Sequence, residues 1–340
     1  MQKRAKVAVV GATGTVGREV LAALYDAEVL SDDVTLLGSE RSVGQEVDYG
    51  DDSLEVEPLE GEPFRGMAGV ILAVPPDPAR TLGAQAQAQG AWVVDVSPAR
   101  RLDPEVPLVV PAVNAEVLAK PFKGRTVATP GPITAALTTV LEPLRARFGV
   151  THTTVTALLG ASSHGQRGIS ELEKQTAGLL SGREETPEVF PHRLGFNLIP
   201  QVGEPAAGGS TSEEVSWSHE AARIWTGVDG APALFGTAIQ VPTFYGHALS
   251  LTVELAKDVD EAAAREALKK APGIKVLDVL DERVYPMPML VTADPTVHVG
   301  RIRQVPGMPR TLVLYAVVDN AGRGAAWNAV DVLRALLARP

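Results

Sequence analysis

The sequence predicts an α/β protein: a doubly wound nucleotide-binding domain, a central α+β domain, and a C-terminal helix that returns to the first domain. Three observations carry this. Val7–Val10 reads as a buried strand running into a turn with Gly11, Gly14 and Gly17, followed by an amphipathic helix over Arg18–Tyr25. Short apolar runs then alternate with helical segments through about residue 125, the pattern of a parallel sheet covered on both faces. From Thr151 the strands become longer and alternate in polarity, which indicates a mixed sheet.

Taken in order, Val34–Leu37, Gly69–Val74 and Ala91–Val96 read as further strands of the first domain, with a helix over Pro78–Gln89. Ligands of such Rossmann-type sheets lie at the carboxyl ends of the strands. In the second half Thr151–Leu159, Ala238–Pro242, Leu249–Leu255 and Arg310–Val318 read as strands. Ile133–Phe148, Gly168–Leu180, Ser212–Thr226 and Asp260–Lys270 read as helices. The tail, Gly322–Leu337, puts Ala326, Val330, Leu333 and Leu337 on one helical face. That face must be buried, and packing on the first domain is the simplest way. The expected division is 1–127 with 321–340 for dinucleotide binding, and 128–320 for substrate and dimerisation.

At 340 residues, with 45% hydrophobic and 21% charged residues, the chain has the composition of a soluble protein large enough for two cores. A net charge of −10 argues against nucleic acid and against an anionic membrane as partners. No apolar run approaches the ~20 residues of a spanning helix. The start Met-Gln-Lys-Arg leads directly into a strand, so a cytoplasmic location is expected. Cysteine is absent, which removes disulfides, thiolate metal ligands and thiol catalysis together. Six dispersed histidines show no metal-ligand spacing, and no metal is expected.

Glycine serves where the backbone must turn tightly and approach a diphosphate, and the following helix offers its free N–H groups to the anion. Gly11, Thr13, Gly14, Thr15 and Val16 are therefore candidate cofactor-binding residues. The plainer reading is that the glycines serve only strand–helix packing. After the second strand comes Ser39-Glu40-Arg41-Ser42. An acid there suits a ribose 2′-hydroxyl, whereas arginine with hydroxyls suits a 2′-phosphate. Ser39, Arg41 and Ser42 favour NADP(H), and Glu40 keeps NAD(H) open. As a bland alternative, Arg41 is a solvated loop charge.

Several segments, in order, point to one family. They are Gly11–Gly17, Ser39–Ser42 with Gly44, Phe190–Pro200 (Phe-Pro-His-Arg-Leu-Gly-Phe-Asn-Leu-Ile-Pro), Ser212–Glu214, Val241-Pro242 with Gly246-His247, and Asp319-Asn320 with Gly324–Asn328. Over essentially its whole length the chain resembles bacterial aspartate-semialdehyde dehydrogenases, most closely their catalytically deficient Usg-type paralogues. The resemblance implies NADPH-dependent interconversion of aspartyl phosphate and aspartate semialdehyde. In that family a cysteine at a helix start forms a thioester, a histidine is the acid/base, a glutamine orients the intermediate, and arginines, a glutamate and a lysine hold substrate.

Position by position, the chain departs from that pattern. Pro132 stands at the nucleophile position, Leu159 at the glutamine, Ser216 at the lysine, and Gln240 at one arginine. Proline suits the first turn of a helix but has no nucleophilic atom. Arg101, Glu213 and His247 remain, and Asn320 resembles the asparagine on the nicotinamide side. Val74-Pro75-Pro76 replaces small residues near the diphosphate, which implies weak cofactor affinity. Thr129, Thr134, Ser162 and Ser163 are replacement nucleophiles by residue type alone, since an alcohol needs a strong local base. His247 is either a retained acid for carbonyl reduction or a ring kept for its hydrogen bond at a strand end. Arg101 either binds an anion or is a loop charge, and Glu213 either holds substrate or is only a favourable first-turn acid. Expected, then, is a homodimer with an NADP(H) site and no phosphorylating dehydrogenase reaction. The alternatives are an NADPH-dependent reductase of an acidic aldehyde or ketone and residual dehydrogenase activity. A small acidic metabolite and an active paralogue are the other candidate partners.

Overall fold

The computed structural model describes residues 5–227 and 231–339, and the chain divides into two compact units. One comprises the chain through Gly131 together with the segment from Ala325 on, and the other is Pro132–Gly324. Both crossings fall a few residues beyond the expected 127/128 and 320/321. The Met-Gln-Lys-Arg start lies outside the described residues, as does Pro340, with which the expected first domain ends.

The first unit contains β1 (Val7–Val10), α1 (Thr15–Asp26), β2 (Val34–Gly38), β3 (Glu46–Tyr49), β4 (Asp52–Pro58), β5 (Gly69–Leu72), α2 (Pro76–Ala88), β6 (Trp92–Asp95), the short α3 (Pro111–Asn114) and β7 (Thr126–Ala128). Its sheet has the order β3-β4-β2-β1-β5-β6-β7, parallel throughout except that β3 runs antiparallel to β4. The hairpin β3–β4 is not evident in the sequence, because its charged, alternating residues resemble a loop. The first helix begins at Thr15 rather than Arg18, since the Arg18 amide already donates to the Gly14 carbonyl at 3.0 Å.

In the second unit, α4 (Pro132–Phe148), α6 (Ser212–Ile224) and α7 (Glu261–Lys269) pack on a six-stranded sheet. Its strands are β8 (Val150–Leu159), β9 (Ala233–Gln240), β10 (His247–Leu255), β11 (Ile274–Val276), β12 (Val297–Val305) and β13 (Met308–Val318). They lie in the order β11-β12-β13-β10-β8-β9. The helix α5 (Gly165–Leu180) follows β8. Thr154, Thr252 and Phe235 are exposed, and Tyr315 is half-buried; they alternate with buried positions along their strands, so this sheet keeps one open face.

The expected tail helix is broken. Gly322–Ala326 forms a π-helical turn before α8 (Trp327–Leu337). Asp319 precedes this turn, and its carboxylate accepts from the amides of Ala321, Gly322 and Ala293. Ala326, Val330 and Leu333 are buried in the core of the first unit, where α8 packs on α1, β5 and β6.

Candidate functional site

In the first unit the glycine turn joins β1 to α1. Gly11 has φ +87°, and a Cβ there would lie 2.5 Å from the Ala73 carbonyl oxygen. A Cβ on Gly17 would lie 2.1 Å from the Gly11 carbonyl oxygen, so this residue serves helix–strand contact. Gly14 differs: the nearest atom to its Cβ would be 3.4 Å away, and the residue is exposed. It caps α1 without a side-chain hydrogen bond, so the amides of Thr15 and Val16 face outward from a helix end that has no acid in its first turn. This is a cradle for an anion built from backbone alone.

The loop after β2 folds against that turn. Ser42 Oγ lies 3.4 Å from Thr13 Oγ1, and the Ser42 amide donates to the Ser39 carbonyl at 2.7 Å. Ser39 and Arg41 are exposed. A cavity of about 290 Å³ opens here, lined by Gly11, Thr13, Ser39, Ser42, Val74 and Pro78 among others. Its apolar wall includes the start of α2, where Pro75, Pro76 and Pro78 lack N–H groups and Asp77 adds negative charge. Of the starts of α1 and α2 at this cleft, that of α1 suits an anion. Residues of this unit thus fit a dinucleotide at the turn and in the apolar cleft.

Arg101 also belongs to this unit. It is half-buried and donates to the carbonyls of Val96, at 2.9 Å, and Thr129, at 3.0 Å. Part of its fork therefore holds the ends of β6 and β7 together. Nearby Asp95 is buried, with Oδ1 accepting from the Ser97 amide and Oδ2 without a protein partner. Burial pushes its carboxyl above the usual range.

The second unit brings other candidates together at one end of its sheet. β8 ends at Leu159, which pairs with Gln240 of β9 on one side and His247 of β10 on the other. The Gly160 amide is shared between His247 Nδ1 and the Gly246 carbonyl, both at 3.3 Å. With Nδ1 accepting, neutral His247 carries its proton on Nε2. Burial, against the pull of the Gly246 carbonyl and with a smaller contribution from His164, holds its pKa down to about 4. Gln240 is buried and bonded on every side. Its Nε2 donates to the carbonyls of Leu159 and Gly160, at 2.8 and 2.9 Å, and its Oε1 accepts from Ser163 Oγ at 3.2 Å.

The remaining candidates divide. Asn320 accepts from Ser162 Oγ at 2.8 Å and so touches the same turn as His247. Glu213 turns instead along α6, where it accepts from the Trp217 indole at 3.0 Å, while Glu214 completes the capping box with Thr211. Pro132 opens α4, close enough to Gly324 that a Cβ there would sit 2.8 Å from its own Cβ. Thr129 and Thr134 are wholly buried with hydroxyls that have no protein partner, and neither has a base beside it. Ser163 Oγ lies 2.9 Å from His164 Nδ1, but its hydroxyl hydrogen is already donated to Gln240. This Gln240–Ser163–His164 chain escapes sequence reasoning because Gln240 and Ser163 are 77 residues apart.

Two family models match in chain order: the semialdehyde dehydrogenase NAD-binding domain over residues 6–120, and the semialdehyde dehydrogenase dimerisation domain over 141–322. Aspartate-semialdehyde dehydrogenase of Aquifex aeolicus is 33% identical over 98% of both chains. The USG-1 protein homolog of Azotobacter vinelandii is 33% identical over 97% of both. Among solved structures, aspartate semialdehyde dehydrogenase II of Vibrio cholerae superposes with a TM-score of 0.93 at 30% identity, covering 98% of each chain. Both halves and the full length agree, and the chain belongs to the aspartate-semialdehyde dehydrogenase family, which here includes Usg-type relatives.

Proposed function

We propose that this protein is an NADP(H)-binding, homodimeric member of the family that no longer runs the phosphorylating dehydrogenase reaction. The observation that carries the reading is Pro132 at the first position of α4 in a chain without cysteine. A thiolate at a helix start is activated by the free amides around it, and proline supplies neither the nucleophile nor the amide. Gln240 supports the same reading. Where the resemblance places a substrate-holding arginine, its amide is consumed by Leu159, Gly160 and Ser163.

For the cofactor, the amides of Thr15 and Val16 would face the diphosphate, with Gly14 leaving room for it. Thr13, Ser39, Arg41 and Ser42 would surround the 2′-phosphate of the ribose, where an arginine offers a charged fork. When bound, a nicotinamide cofactor supplies or accepts hydride. The wall of prolines at the start of α2 offers few donors, which favours modest affinity. The open sheet face, with Thr154, Thr252, Phe235 and Tyr315, is where a second copy would pack.

Two measurements test this. NADPH fluorescence titration should show saturable binding, tighter than for NADH; no binding at millimolar cofactor overturns the cofactor assignment. Phosphate-dependent oxidation of aspartate semialdehyde should be undetectable. Robust turnover would sink the deficient reading and require another nucleophile.

A further inference from the structure

We infer that the second unit carries a ligand site on the open face of its sheet, and that this site takes a planar aromatic compound bearing an anionic group. The inference goes beyond the reading above and rests on neither the cofactor nor the reaction assigned there.

A cavity of about 360 Å³ opens where the segment Tyr285–Pro288 meets β10, β12 and β13. Its floor is the sheet itself. Ser250 of β10 pairs with Tyr315 of β13, so both side chains leave the same face. Tyr285, Pro286 and Pro288 form a wall, seated on β12 so closely that a Cβ on Gly300 would lie 2.6 Å from Pro286 Cδ.

Two arginines reach this cavity because β12 is irregular. Gly300 pairs with Tyr315 and Arg303 with Val313, so Arg301 and Ile302 together stand opposite Leu314. Ile302 is buried, and Arg301 takes a left-handed conformation at φ +54°. A side chain of this size rarely adopts it, and here the bulge places Arg301 on the same cavity as Arg303. The Asp278 carboxylate holds the bulge by accepting from the Arg301 amide at 2.7 Å.

Both guanidinium groups are left without a counter-ion. Arg303 Nη1 donates to the Arg301 carbonyl at 2.8 Å, and neither arginine pairs with a carboxylate among the described residues. Among those residues, too, the cavity lining contains no acid. The acids nearby are engaged or lie outside it. Asp278 is bound by Arg265 at 2.6 Å, and Glu254, farther along β10, accepts from Thr311 Oγ1 at 2.6 Å beside Arg310. Asp281 and Glu282 are exposed in the turn before Tyr285, with Arg283 next to them. Two unpaired positive charges in a chain of net charge −10 select an anion.

The remaining lining selects the body of that anion. Tyrosine and proline faces offer flat contact to a ring, and arginine stacks on one as well. Burial raises the pKa of Tyr315, which keeps its hydroxyl a neutral donor. A second copy packed on this face would have to supply an acid, and the outward Thr154, Thr252 and Phe235 supply none.

Phenyl phosphate is the probe, titrated by calorimetry into the full-length protein. It should bind saturably, once per chain, and an excess of NADPH should not displace it. Arg301→Gln and Arg303→Gln should each weaken it about tenfold, the loss of one charge-assisted contact. Inorganic phosphate, which lacks the ring, and benzyl alcohol, which lacks the charge, should each bind at least ~10-fold more weakly. The inference is overturned by no saturation at millimolar probe, by equal binding of phenyl phosphate and inorganic phosphate, by displacement with NADPH, or by full affinity in both arginine variants. Light scattering adds one more overturning result: variants that lose the dimer but keep the probe's affinity, since the arginines then hold acids of a second copy. Failure of the cofactor or dehydrogenase reading would leave all these readouts unmoved, so the two are distinguishable.

Discussion

At the scale of single residues, the glycines of one motif carry different burdens. Gly17 is sealed against Gly11 and Ala12, and Gly17→Ala forces backbone apart. It should lower the unfolding free energy by about 1–3 kcal/mol in a urea titration. Gly14 has room for a methyl group, so Gly14→Ala should leave that titration nearly unchanged while weakening NADPH binding, because the methyl would occupy the anion's approach. His247 gives a pH signature. Its folded pKa of about 4 lies below the ordinary 6.5, so between these values the unfolded chain binds a proton that the folded chain does not. Stability should therefore fall as pH drops from about 6.5 to 4, by an amount on the order of 3 kcal/mol, and level off below. In His247→Gln the fall should be shallower by denaturant midpoint. Arg41→Ala should lower affinity for NADPH more than for NADH, by about tenfold if one charge-assisted contact is lost.

At the scale of elements, the sequence was most readable where one periodicity ruled. The runs of β1 and β5 are apolar on both faces and wholly buried, and β6 is buried except at half-buried Trp92. β3 and β4 were invisible because their outward residues, such as Glu46, Asp48, Glu55 and Glu57, look like loop sequence. The π turn at Gly322–Ala326, whose start is held by the Asp319 carboxylate, likewise has no mark in the local sequence. Asp319→Ala should cost about 2–3 kcal/mol in thermal or urea unfolding, since it strands buried amides. The glycine turn and the Ser39–Ser42 loop were legible as a pair because their chemistry is local. The Gln240–Ser163–His164 chain was not, since strand pairing and not sequence distance brings its members together.

At the scale of the molecule, the proposed homodimer would form through the open face of the second sheet. Its exposed threonines and aromatics sit level with one another across β9, β8 and β10, as the pairs Thr154↔Phe235 and Thr252↔Thr154 record. Thr252→Arg places a charge in the middle of that surface and should convert the dimer to monomer in light scattering, with NADPH binding retained.

Gln240 has a consequence for the history of the chain. Its side chain ties the ends of β8 and β9 through bonds that an arginine cannot reproduce, because an arginine has no acceptor for Ser163. Pro132 similarly begins α4 in the backbone geometry that the first helical position prefers. Placing the family's arginine at 240 alone would, on the proposed reading, loosen the fold before any activity appeared. On the proposed reading, these substitutions act as a ratchet: each made the next return step uphill, and selection for stability alone keeps the chain from drifting back to thiol chemistry.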